Sequence, residues 1–264
     1  MRRAVIRTSA GHTAFDLEEP GDFPSFFVFA MHKSGSTLMN RMLDQALSAA
    51  GVPQVPLPSI AFEAGLPAND ILNPEELIFP QGYCYRNFHG FPPYLHRFDI
   101  SGNKKILLIR DPRDIVVSYY FSMAKSHRLP RLGVVKRYLL NMRDKARTAN
   151  IDQFCRSVAK EFKSQFRSYH SILSTELRLY RYEDVVFDKK AWLEDMLDYV
   201  GVALNPAKLA RIAKENDIWP EVERPSKHIR QVMPGNFRKH LSRESIEVLN
   251  AEFEYLLTEY KYAF

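Results

Sequence analysis

Apolar positions along the chain fall into short dense runs and longer stretches of helical period, separated by polar punctuation. Phe26-Phe27-Val28-Phe29-Ala30-Met31 is aromatic and β-branched, too short for a helix and without polar alternation, the pattern of a strand buried on both faces. It stops at the polar loop Lys33-Ser34-Gly35-Ser36-Thr37. Leu38, Met39, Met42, Leu43, Ala46 and Leu47 then recur at helical spacing. Residues 106–109 repeat the buried-strand pattern, and Asp111-Pro112 supplies the cap and first position of a following helix. Residues 177–182 read as a third strand, and residues 83–89 as a short one ending at His89 before a Gly-Phe-Pro break. Helical period marks residues 151–173, 189–200, 206–214 and 245–260. Strands alternating with helices predict an α/β fold, a three-layer sandwich around a central parallel sheet. Two stretches resist assignment. Residues 1–24 are a polar leader with room for one edge hairpin, and residues 51–83 carry six prolines that forbid long elements.

Strand, glycine-containing loop and helix together make a phosphate-binding unit. The helix N-terminus offers N–H groups and partial positive charge, Gly35 lets the backbone approach an anion, Ser34, Ser36 and Thr37 add hydroxyls, and Lys33 adds a full charge. This is not the nucleotide-kinase P-loop, whose Lys directly follows its second Gly; here Ser36 follows Gly35. Arg110 lies at a strand's carboxyl end, where open α/β sheets bind ligands, and Ser118 follows on the next helix, so the two can converge on one anion. Plainer readings stand beside these: an ordinary strand-to-helix turn, and an Arg110 merely paired with Asp111 or Asp114.

The Lys33–Thr37 loop resembles the 5′-phosphosulfate loop of sulfotransferases that use 3′-phosphoadenosine 5′-phosphosulfate (PAPS). Arg110-Asp111-Pro112-Arg113-Asp114 with Val117-Ser118-Tyr119-Tyr120 resembles the 3′-phosphate motif of the same family. Tyr182-Glu183-Asp184 resembles its third strand end, where the Tyr lies near the adenosine. Arg230, Gly235, Phe237, Arg238, Leu241 and Ser242 resemble its C-terminal loop, with Gln231 and Val232 as departures; a β-branched Val232 disfavours positive φ there. The resemblance covers roughly residues 25–242 and implies a P-loop NTPase-like fold, PAPS as sulfuryl donor and 3′-phosphoadenosine 5′-phosphate (PAP) as product. It implies that Lys33 meets the leaving phosphate oxygen and Ser34–Thr37 the 5′-phosphosulfate. Arg110, Ser118, Arg230 and Gly235 would surround the 3′-phosphate, and Tyr182 the nucleoside. His89, about twenty residues before Arg110 as in soluble members, is the expected base; Glu63 is the alternative, as in glycan-modifying members.

At 264 residues and 45% hydrophobic content, the chain has enough apolar material for one sulfotransferase domain over 1–264, with residues 51–103 and 124–150 on the acceptor side. A net charge of +6 favours anionic partners without choosing among them. The run 125–147 concentrates Lys and Arg with Asp144 as its only acid, and reads either as a solvated helix face or as a basic lid. Cys84 and Cys155 have no metal-type spacing and, without an apolar leader or a long apolar run, suggest a cytoplasmic protein. No metal is expected. The acceptor carries a hydroxyl or amine on a small molecule or glycan. Competing readings are a small-molecule kinase, which lacks the required Lys, and a non-enzymatic binder of anionic polymers or nucleic acid, which leaves both phosphate motifs unexplained.

Overall fold

The computed structural model describes residues 1–173, 176–220 and 232–264. Strands β1 (Arg2–Thr8) and β2 (Gly11–Leu17) form an antiparallel hairpin. The apolar run at Phe26 becomes β3 (Phe26–Ala30), followed by α1 (Ser36–Ala49), β4 (Gln54–Val55) and α2 (Leu57–Glu63). Then come β5 (Cys84–His89), β6 (Lys105–Ile109), α3 (Pro112–Phe121), α4 (Val134–Thr148) and α5 (Ile151–Ser168). The chain continues through β7 (Leu177–Arg181), α6 (Tyr182–Val185), α7 (Lys189–Val200), α8 (Pro206–Glu215), α9 (Phe237–His240) and α10 (Arg243–Glu259).

Helix starts follow local chemistry. Asp111, Asn150, Asp188, Asn205 and Ser242 each accept a backbone N–H of the first turn they precede. Five parallel strands pair in the order β4-β5-β3-β6-β7. Phe27, Phe29, Tyr85, Phe88, Leu107 and Ile109 face one layer, with α3, α5 and α10. Phe26, Val28, Ala30, Ile106 and Leu108 face the other, with α1, α7 and α8. This is the expected three-layer sandwich. From β3 the chain runs outward to β4 and β5 on one side and to β6 and β7 on the other. The carboxyl end of β3 is therefore the topological switch point, where such sheets leave a crevice.

The N-terminal segment forms the hairpin for which the sequence left room, not at the edge of the main sheet but as a two-stranded sheet of its own, and Ile6 and Leu17 are buried in the main core. The proline-rich segment holds one seven-residue helix and a two-residue edge strand.

Lys105 opens β6 yet is fully buried, its Nζ donating to the carbonyls of Ile100 at 2.6 Å and Asn103 at 2.5 Å. Burial pulls its pKa down to about 8, partly offset by Glu176 and Asp99. Lys105→Met removes the donors and strands these carbonyls. A loss of about 3 kcal/mol is expected, read in a denaturant melt as a lower midpoint at unchanged slope.

Candidate active site

Sheet order brings the chemistry together. At the carboxyl ends of β5, β3, β6 and β7, side by side, stand His89, Lys33, Arg110 and Tyr182. All four line one cavity of about 850 Å³, with Gly35, Ser36, Thr37 and Ser118.

The loop after β3 is shaped by two left-handed residues, Lys33 at φ 63° and Gly35 at φ 95°. Gly35 is also pressed under the Tyr182 ring: a Cβ there would lie 2.6 Å from Tyr182 Cδ2. Only glycine meets both demands. Helix α1 begins next, with no acidic residue in its first turn to compete for an anion. Ser34 departs from expectation. It is fully buried, its hydroxyl donates to the Met31 carbonyl at 2.7 Å, and it does not line the cavity. Its hydroxyl braces the loop, and the lining hydroxyls are those of Ser36 and Thr37.

Arg110 is buried, with its guanidinium 4.6 Å from the centre of the Tyr182 ring. Nη2 donates to Asp114 at 3.1 Å and Nη1 to the Lys33 carbonyl at 3.4 Å, whereas the buried Nε has no hydrogen-bond partner. Burial opposes its charge, but Asp114, Tyr182 and Glu183 outweigh burial and raise its pKa. The pairing with Asp114 and the place in the cavity are therefore both real. Asp114 does more: it accepts the backbone N–H groups of Gly235 and Phe237, each at 2.8 Å, and so ties the C-terminal loop to Arg110. Gly235 itself is not a lining residue. Tyr182 donates its hydroxyl to the Val232 carbonyl at 2.8 Å. Arg230 lies outside the described residues.

On the β5 side His89 stacks on His32, ring centroids 4.3 Å apart. Burial, then the Lys33 charge, push the His89 pKa down to about 4, with the Ala30 backbone offsetting part of this. Burial, His89 and Lys33 hold His32 well below its ordinary value. Both imidazoles are neutral at pH 7. Helix α5 fixes them from behind: Gln165 Nε2 donates to the His89 carbonyl at 3.0 Å, and Oε1 accepts the His32 N–H at 3.4 Å. Lys33 Nζ donates to Ser122 Oγ at 3.1 Å, and Ser122 Oγ lies 3.3 Å from His127 Nδ1. Ser122 opens a single π turn that extends α3. His32, Ser122, His127 and Gln165 were not singled out from sequence, whereas Asp114, one helical turn after Arg110, was read there as a possible ion-pair partner.

His89 faces the cleft because of a β-bulge. Phe27 pairs with Tyr85 and Phe29 with Phe88, so Arg86 and Asn87 together oppose Val28 alone. Asn87 takes φ 69°, a conformation Asn tolerates better than most residues. In an unbulged strand His89 would share the Tyr85 face and enter the aromatic core. The bulge instead puts Phe88 there, 5.1 Å from Phe29, and releases His89. The three-residue spacing of Tyr85 and Phe88 was the available sequence signal. Asn87→Gly is expected to retain activity. Asn87→Val cannot hold the left-handed φ, and turnover should fall about 100-fold through misplacement of His89 with PAP affinity unchanged, as read by steady-state kinetics and calorimetry.

Glu63 ends α2 in an exposed pair with Arg128 at 3.4 Å and does not line the cavity. The basic run divides: Arg128, with Val134, Val135, Tyr138 and Leu139, lines the cavity, whereas Lys136, Arg137, Arg143, Lys145 and Arg147 do not. Arg137 and Lys145 are exposed, while Arg143 donates to the His127 carbonyl at 2.7 Å and Arg147 to the Ala124 carbonyl at 3.2 Å. No group of His, Cys, Asp and Glu suited to a metal ion occurs among the described residues, and no described helix is long and apolar enough to cross a membrane.

Residues 87–261, more than half of the chain, match the sulfotransferase domain family, and the chain belongs to that family. It is a sulfotransferase. Mouse sulfotransferase SULT7A1 complexed with PAP superposes with a TM-score of 0.60 at 13% identity, covering 90% of this chain and 88% of that one. Retinol dehydratase in complex with androsterone and inactive cofactor PAP gives a TM-score of 0.48 at 15% identity, covering 88% and 80%. No curated protein matches the sequence. The matched span begins at residue 87, beyond the Lys33–Thr37 loop, so that loop's role rests on its own geometry.

Proposed function

We propose that the protein transfers the sulfuryl group of PAPS to a hydroxyl or amine of its acceptor, releasing PAP, with residues 1–264 acting as one sulfotransferase domain. The observation that carries this reading is the alignment of His89, Lys33, Arg110 and Tyr182 along one sheet edge over a common cavity. Two features fit an anionic nucleotide there: the unpartnered Arg110 Nε, and the concavity under Tyr182 that a Cβ at residue 35 would fill. Arg110 and Ser118 would hold the 3′-phosphate, Gly35, Ser36 and Thr37 the 5′ end, and Tyr182 the nucleoside. The donor supplies a sulfuryl group on a phosphate leaving group. Lys33 neutralises the oxygen left on that phosphate as the sulfur–oxygen bond breaks. His89, neutral at pH 7, takes the acceptor proton as the new oxygen–sulfur (or nitrogen–sulfur) bond forms. Its place beside Lys33, against the rim position of Glu63, favours His89 as the base. Buried, unbridged Cys84 and Cys155 suit a reducing cytoplasm.

The test is calorimetric. PAP is expected to bind far more tightly than AMP, because the 3′-phosphate adds charge-assisted contacts, and Arg110→Ala should erase most of that preference. Equal affinity of the wild-type protein for PAP and AMP would sink the 3′-phosphate assignment.

A further inference from the structure

Among the described strands β7 is outermost on its side, paired to β6 up to Ile109 opposite Arg181. The next residue of each enters the cavity, Arg110 after β6 and Tyr182 after β7, with the guanidinium 4.6 Å from the ring centre. The strand ladder has ended there. The spacing of the two side chains depends on what joins the strand ends behind them, and the end of an outermost strand opens more readily than a central one.

The joint lies one residue further on, where the Asp111 N–H donates to Glu183 Oε1 at 2.9 Å. Residues 260–263, just after α10, cross it. The Tyr262 hydroxyl donates to Glu183 Oε2 at 3.2 Å, and the Ala263 carbonyl accepts from Arg113 Nη2 at 2.5 Å. Arg113 also clasps the Asp111 carboxylate, Nε at 3.0 Å and Nη2 at 2.7 Å. On the β7 side, Arg181 Nη1 donates to the Tyr260 and Lys261 carbonyls at 3.0 and 2.9 Å. Arg113 and Tyr262 are buried, so little water competes for their bonds.

Arg113 lies 4.3 Å from the centre of the Phe237 ring and donates to Asn250 Oδ1 of α10 at 2.8 Å. The Phe237 N–H is one of the two that Asp114 accepts beside Arg110. A segment packed only for stability needs no particular polar partner. This one is bonded to the residues that directly follow Arg110 and Tyr182, yet none of Arg113, Glu183, Tyr262 and Ala263 lines the cavity. The family match ends at residue 261, short of Tyr262 and Ala263.

We propose that residues 260–263 form a strap across the ends of β6 and β7, and that Tyr262 and Arg113 are positioning residues that set the spacing of Arg110 and Tyr182 for the nucleotide. This rests on the nucleotide reading above. Strap docking and nucleotide binding are then linked: a nucleotide that needs Arg110 and Tyr182 in place stabilises the docked strap, and the docked strap raises nucleotide affinity by the same factor.

The experiment is calorimetry with PAP on the full chain, for wild type, Tyr262→Phe, Arg110→Ala and the double variant. Tyr262→Phe keeps the ring and removes only the bond to Glu183. It is expected to weaken PAP binding about fivefold in the wild-type background and to change nothing where Arg110 is already Ala, because the strap acts through that residue. Equal losses in both backgrounds, or no loss in the first, overturn the proposal. Amide exchange of the wild-type protein reads the coupling from the other side. Saturating PAP should slow exchange of the Lys261 and Tyr262 N–H groups, which bond the Thr258 and Leu257 carbonyls, by about fivefold. Rates unmoved by PAP also overturn it, and this measurement decides alone if a variant does not fold. Failure of the wild-type protein to bind PAP defeats the nucleotide reading itself, whereas PAP binding with additive losses defeats only the strap.

Discussion

His89→Ala is expected to slow sulfuryl transfer to an aliphatic alcohol by about 10²–10⁴-fold and to leave transfer to a phenol already ionised at the assay pH nearly unchanged. An alcohol must surrender its proton as its oxygen attacks, and His89 is a neutral imidazole in the cavity beside Lys33 that can receive it. An ionised phenol has no proton to give. PAP affinity should hold, because His89 belongs to the β5 side of the cleft. The pH profile adds a second mark. With burial and the Lys33 charge holding the free-enzyme pKa to about 4, the base is protonated and lost only below that value. The acid limb of kcat/KM should therefore fall near pH 4, not near 6.5. A limb at 6.5, or an equal loss on ionised phenols, would show that His89 does not serve as the base. If Glu63→Ala abolished turnover while His89→Ala did not, the base would be Glu63.

Lys33→Ala should behave differently. Its charge acts on the leaving group, so the loss should be uniform across acceptors, about 3 kcal/mol or a hundredfold, whatever their pKa. The substitution keeps a Cβ at φ 63°, so it adds no new torsional strain to the loop. It also removes the contact from Lys33 Nζ to Ser122. Ser122→Ala is the control for that contact, and a small effect there assigns the loss to the charge. Single-turnover rates across acceptors of graded pKa separate the two patterns: a slope that steepens for His89→Ala, and a parallel downward shift for Lys33→Ala.

What could be read from sequence were local patterns with a fixed period or a fixed chemistry. Residues 26–30 are apolar on both faces and could only be a central strand; Gly35 and the Asp111-Pro112 cap mark helix starts wherever they occur. Since the ligand crevice follows from strand order, Arg110 and Lys33 were legible as neighbours once both runs were read as parallel strands. Features set by contacts distant in sequence were not legible. Nothing local tells that Glu63 pairs with Arg128, or that the hairpin packs on Leu66 and Asn73. The meeting of Gly65 with Gly133 is likewise invisible along the chain, because each glycine alone reads as an ordinary turn. Asn87 sits between the two classes: the bulge breaks the strand's alternation, but its consequence for His89 appears only when β3 is laid beside it.

The most direct test is a single turnover with PAPS labelled in its sulfuryl group and a panel of aliphatic, phenolic and amine acceptors. The label is expected in the sulfated acceptor, with stoichiometric PAP, at a rate cut about a hundredfold in Lys33→Ala and more deeply in His89→Ala than in any variant outside the cavity. Label that stays on PAPS, or that leaves only as inorganic sulfate regardless of acceptor, would contradict it.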